Sequence, residues 1–146
     1  ATQEYSTVKD LVGFLLDSRK EVRGLAARNV AALTGNAGDR ALLQRAEAAG
    51  PLVRLIGDSE PVVGSYAVRA LVNLSAEPGF QGQILALRVV NRVMEAIQRD
   101  ACPFRGLAVM FLSNLCATPA GCMQLLQKDE HGGRLVGLHL RQLLRL

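Results

Sequence analysis

The sequence predicts an all-α solenoid built from three-helix repeats, and three observations carry that prediction. Leu33, Leu74 and Leu115 recur at a constant interval of 41 residues, within the period of helical repeats. Around them three segments align without a gap, VRGLAARNVAALT (22–34), VGSYAVRALVNLS (63–75) and FRGLAVMFLSNLC (104–116). Their apolar residues fall at helical spacing, not in strand alternation. The composition agrees: 49% of the 146 residues are hydrophobic but only 4% are aromatic, with no Trp. Such a chain suits closely packed helices better than a sandwich or barrel, which draws on aromatic and β-branched cross-strand pairs.

Each element follows in order. Leu11, Val12 and Leu15 mark a first helix; Leu52, Val53 and Ile56, then Val93, Met94 and Ile97, repeat it one and two periods later. Ser18, Ser59 and Asp100 keep the same interval and are good N-cap residues for the aligned segments; Ser18 with Glu21 forms a capping-box pattern. Ala26, Ala67 and Ala108 coincide within those segments, as do Val30, Leu71 and Leu112. Core positions are expected at relative offsets 0, 3, 4, 8 and 11. Ala27, Val68 and Val109 make the other flank apolar too, as in a buried middle layer. Breakers follow each segment at Gly35-Asn36-Ala37-Gly38, Glu77-Pro78-Gly79 and Thr118-Pro119-Ala120-Gly121. Short helices are predicted next, over Asp39–Ala48, Phe80–Leu87 and Ala120–Lys128, with Gly50-Pro51 and Gly132-Gly133 as punctuation. Arg134–Leu140 sits where the next copy falls.

The plan is that of armadillo repeats: a short helix, a second helix and a longer third helix. It predicts one armadillo-like right-handed α-solenoid over residues 1–146, with units at approximately 1–34, 35–75, 76–116 and 117–146. The first unit has no room for its first helix, and the last stops inside an apolar stretch carrying Leu140, Leu143, Leu144 and Leu146. With Ala1 in place of Met, these ends predict trimming or a fragment. The C-terminal helix is expected to be covered by further repeats, a partner or a second copy.

Charge and chemistry narrow the function. A net charge of +4, spread along the chain, does not indicate nucleic-acid binding. Three cysteines without a secretory signal point to a reducing compartment. The uncharged run from Gly106 to Gln127 is interrupted by Ser113, Asn114 and the Thr118–Gly121 turn, which argues against a membrane span. His131 and His139 lie in no nucleophile motif, Cys116 and Cys122 match no zinc spacing, and phosphate-loop glycines are absent. Cys116 stands where Thr34 and Ser75 stand, which suits a small packed residue. No enzyme activity, metal or cofactor is expected.

The candidate sites are surface ones. Asn73 and Asn114 share a repeat position inside the third helix, where Asn is a poor choice on propensity. The amide can hold the main chain of an extended peptide, or it can bond between neighbouring repeats. Four residues earlier on the same face stand Arg28 and Arg69, with Met110 in the third copy. An Arg–Asn ladder favours a carboxylate-bearing partner; a solvated Arg stripe is the other reading. Arg23 and Arg105 repeat on the opposite flank. Arg134, Arg141 and Arg145 give the last helix a basic face.

Residues 70–75 (ALVNLS) and 111–116 (FLSNLC) resemble the third-helix signature of armadillo repeats. Nuclear-import receptors of that class place a Trp four residues before the Asn; here Arg69 and Met110 stand there, which departs from the pattern that binds nuclear-localisation signals. A narrower resemblance rests on residues 22–35, on Arg40-Ala41-Leu42-Leu43 and on residues 69–79 (RALVNLSAEPG). These are similar to the N-terminal part of the eukaryotic Hgh-type family, over roughly residues 8 to 126. That family is a folding cofactor for translation elongation factor two and links it to the cytosolic chaperonin. The resemblance implies a non-enzymatic, cytoplasmic adaptor with those two partners, the nucleus being the other compartment open to it. A generic adaptor for acidic linear peptides and a structural assembly repeat are the other readings. Neither nucleic acid nor membrane is expected as a partner.

Overall fold

In the computed structural model the described residues are 4–77, 79–99, 101–126 and 145, and their regular structure is helical. The chain runs α1 (Tyr5–Phe14), α2 (Lys20–Leu33), α3 (Ala37–Arg45), α4 (Ala49–Leu55), α5 (Pro61–Leu74), α6 (Phe80–Ala86), α7 (Val89–Ile97), α8 (Arg105–Leu115) and α9 (Pro119–Leu126). The all-α solenoid expected from the period is what these helices form. The aligned segments are α2, α5 and α8, which stack side by side, α5 between the other two. A second row is α1, α4 and α7, and the short helices α3, α6 and α9 connect one unit to the next. The uncharged run is divided between α8 and α9. No helix among the described residues is long and apolar enough to cross a membrane.

Burial follows the period. Ala67, Leu71, Leu74, Ala108 and Leu115 are fully buried, and so are Leu15, Leu52, Ile97 and Val93 in the other row. Burying a Leu or Ile side chain contributes roughly 1.5–3 kcal/mol, so this periodic layer, in place of one central core, holds the units together. The expected core is not closed everywhere: Val22, Tyr66 and Leu107 are only half-buried. Leu25 is 60% and Val109 41% exposed, and Leu33 is only half-buried. Ala27 and Val68, at the position of Val109, are covered by the following third helix; α8 has no such neighbour among the described residues.

Two boundary expectations are corrected. Ser18 and Ser59 do not cap: the residues entering α2 and α5 are Arg19 and Glu60, without side-chain capping of their own. The Asp17 and Asp58 carboxylates instead accept the backbone N–H groups of Arg19 and Glu60, each at 2.9 Å. A carboxylate two residues back fits this extended entry better than a hydroxyl one residue back, because its longer arm returns to the chain. Gly50-Pro51 does not break the chain either; both lie in the first turn of α4, where the missing Pro N–H would have had no helical partner. The turn comes earlier, at Glu47, whose φ is 59°, and one period later at Arg88, φ 54°. After α3, Glu47 N–H donates to Gln44 O and Ala48 N–H to Leu43 O, both at 3.1 Å, a Schellman ending with Glu in place of Gly. Asp100, His131, Gly132-Gly133, Arg134–Leu140, His139, Arg141, Leu143, Leu144 and Leu146 lie outside the described residues.

Side chains of unlike chemistry repeat one function along the stack. Arg40, Gln81 and Cys122 stand one period apart and donate to the carbonyls of Thr34 (2.8 Å), Ser75 (3.2 Å) and Cys116 (2.9 Å). Each satisfies an orphan carbonyl at the end of a third helix. Arg40 also reaches Glu77 at 2.6 Å, linking consecutive breaks. Thr34 and Ser75 donate back to Ala31 O and Val72 O, so the buried hydroxyls are satisfied.

Candidate protein-binding face

One face of α2, α5 and α8 carries residues at helical spacing that the stack leaves outside. It holds Leu25, Arg28 and Ala32 on α2; Val62, Tyr66, Arg69 and Asn73 on α5; and Leu107, Met110 and Asn114 on α8. Residues three and four apart line up along a helix, and stacked helices lie about 8–10 Å apart. The result is three parallel rows crossing the stack. Arg28 and Arg69 are exposed and form no ion pair among the described residues. Met110 continues their row and is 50% exposed. Between α2 and α5 runs a shallow groove lined by Lys20, Leu25, Arg28, Glu60, Val62 and Tyr66. Gly24 opens its floor, since a Cβ there would rest against Val63 at 3.8 Å. The Lys20–Glu60 pair, 3.3 Å, closes one end.

The two asparagines are not equivalent. Asn73 Nδ2 donates to the buried Thr34 hydroxyl at 2.9 Å, tying α5 to the end of α2, although Asn73 itself is exposed. The Asn114 side chain is half-buried and forms no hydrogen bond among the described residues; its backbone carbonyl accepts from Ala117 N–H at 3.2 Å and from Gln81 at 3.5 Å. The five residues singled out from the sequence, Arg28, Arg69, Asn73, Met110 and Asn114, thus share one face, but Asn73 and Asn114 do not act as a matched amide ladder. Leu25, Val62 and Tyr66 were missed. Leu25 and Tyr66 fall at an apolar helical offset and so read as core, and only the stacking shows that this offset looks out of the layer at α2.

Elsewhere the chemistry is quiet. No cluster of three or more metal-ligating side chains occurs among the described residues. Burial first, and then the neighbouring Cys122 thiol, push the Cys116 thiol above its ordinary range, which disfavours the nucleophilic thiolate.

A face of alternating apolar and guanidinium groups on a rigid stack suits a polypeptide surface carrying apolar and acidic side chains. Known proteins similar to this chain include "Protein HGH1 homolog" of Mus musculus, 35% identical over 123 residues, which are 82% of the chain and 31% of the relative. The Homo sapiens protein of that name is 35% identical over 129 residues, 86% of the chain and 33% of the relative. The Dictyostelium discoideum protein is 28% identical over 118 residues, 81% of the chain and 33% of the relative. The resemblance is to HGH1-type proteins. It is consistent with an Hgh-type N-terminal region, and the chain spans about a third of the length of these curated relatives. No protein-family model matches the chain. Crystal structures of engineered proteins share the fold. One has a TM-score of 0.79 at 22% identity, covering 95% of this chain and 55% of the other. A second has a TM-score of 0.72 at 21% identity, covering 96% and 36%.

Proposed function

We propose that the chain is part of a non-enzymatic protein-binding scaffold whose third-helix face holds a client protein in the cytosol. The observation that carries this reading is the row Arg28–Arg69–Met110 beside the Leu25–Val62–Tyr66 groove. It presents exposed apolar area and unpaired guanidinium groups together, outside what the fold requires. The HGH1-type likeness supports a chaperone-type adaptor, with translation elongation factor two as client and the cytosolic chaperonin as the machinery it is linked to. The test is capture from cytosol with the chain and with Arg28→Glu/Arg69→Glu. Recovery of elongation factor two and chaperonin subunits by the wild type, reduced at least tenfold by the double variant, is expected. Recovery of neither overturns the client assignment; equal recovery by both proteins removes the face.

A second reading, an adaptor for an acidic linear peptide, is favoured by the unpaired Arg28 and Arg69. It would use the exposed Asn73 side chain and the Asn114 amide, which has no hydrogen-bond partner among the described residues, instead of a ladder.

A further inference from the structure

The seam between α2 and α5 and the seam between α5 and α8 are built differently, and the difference leaves positive charge without a partner. At the first seam the Arg23 guanidinium bonds the Asp58 carboxylate at 2.8 and 3.3 Å and the carbonyls of Asp17 and Ser18 at 3.1 and 3.0 Å. One period later the position of Arg23 is Gly64 and the position of Asp58 is Arg99. Gly64 gives its space to the Phe104 ring, which would stand 2.9 Å from an added Cβ. The ion pair of the first seam is therefore lost on both sides, and Arg99 is a guanidinium where the register would put a carboxylate.

Arg99 does not stand alone. The point that a Cβ on Gly57 would occupy lies 3.8 Å from Arg99 Nη2, 4.0 Å from Arg92 Nη1 and 4.0 Å from the Arg54 carbonyl oxygen. Gly57, Arg92 and Arg54 line one depression, and Arg99 is placed beside it by its distance from Gly57. None of Arg54, Arg92 and Arg99 forms an ion pair among the described residues. Asp17, Asp58 and Arg23 line the depression too, and both acids are already paired, Asp17 with Arg19 and Asp58 with Arg23. Two exposed guanidinium groups beside one point repel each other only weakly in water, but together they attract an anion. An oxygen seated above Gly57 would receive N–H groups from both. Leu15, Leu16 and Leu55 line the depression as well, Leu16 being 48% exposed, and no aromatic ring is present on which a base could stack.

We infer that the edge at Gly57 is an anion subsite, in which Arg92 and Arg99 hold a carboxylate of an acidic, leucine-containing segment of a protein partner. That the partner is a protein rests on the scaffold reading above; the subsite itself lies on the α4–α7 edge and not on the third-helix face.

The experiment uses the full chain and a fluorescein-labelled peptide alternating glutamate and leucine, read by fluorescence anisotropy beside thermal unfolding. Arg92→Ala/Arg99→Ala should weaken binding at least tenfold while keeping the wild-type midpoint. Gly57→Asp places the chain's own carboxylate between the two guanidinium groups; it should weaken binding equally and raise the midpoint above that of Gly57→Asn. Equal binding by wild type and variants, or equal binding of a glutamine-for-glutamate peptide, overturns the subsite. So does a single-stranded RNA oligomer that binds in the peptide's place. Peptide binding that survives Arg28→Glu/Arg69→Glu, with client capture lost, supports two separate surfaces. Absence of peptide binding with client capture intact sinks the subsite and leaves the scaffold reading standing.

Discussion

Asp17 and Asp58 stand one period apart, yet their carboxylates serve different neighbours. The Arg19 side chain first, and its backbone N–H second, hold the Asp17 carboxyl at about 2, against an ordinary value of 3.8. A depressed folded value means that its contribution is complete above 3.8 and is lost as pH falls towards about 2. Asp17→Asn should flatten that limb of an acid-unfolding curve followed by circular dichroism; superimposable curves would contradict the assignment. The asparagines separate by the same kind of local detail. Removing the Asn73–Thr34 bond by Asn73→Ala should lower stability by about 0.5–1.5 kcal/mol, whereas Asn114→Ala should leave it within about 0.5 kcal/mol. Equal losses in urea unfolding would show that both amides hold the stack. A shared repeat position was legible in the sequence; what lay opposite was not. Thr34 and Ser75 both donate to the carbonyl three residues back, but among the described residues it is the Thr34 hydroxyl that also accepts an amide, that of Asn73.

At the scale of the helices, the corners matter most. Glu47 and Arg88 hold left-handed conformations that favour glycine, and such strain costs of order 1–3 kcal/mol for an L-residue. After the extra unfolded-state freedom of glycine is deducted, Glu47→Gly and Arg88→Gly should each stabilise by about 0.5–1 kcal/mol in chemical denaturation. A loss at both positions would mean that their side chains hold the corner. Gly64→Ala should lose about 1–3 kcal/mol by overpacking, because the Ile56 carbonyl stands 3.1 Å from the new Cβ and is fixed in the backbone. Helix rows were readable because burial repeats with the period. The corner was misplaced at Gly50-Pro51 because Gly and Pro are the usual punctuation, although the interval from Glu47 to Arg88 was present all along. Arg40, Gln81 and Cys122 stayed hidden for another reason: three unlike side chains perform one hydrogen bond, so no residue pattern announces it.

Across the described residues, each third helix packs chiefly on the third helix beside it and on the second-row helix of its own unit, so cooperativity passes along the stack as nearest-neighbour terms. Amide exchange should be slowest in α5, which is packed on both sides, and faster in α1 and α9. A uniform protection pattern would mean that the chain unfolds as one block. The two unlike seams carry a further consequence. Repeats are commonly pictured as interchangeable beads, but an excision of 41 residues joining the first unit directly to the third would set Arg23 against Arg99. It would also put the Arg23 side chain where the Phe104 ring now rests over Gly64. The period would survive such a cut and the fit would not: these units are keyed to one another and assemble in one order.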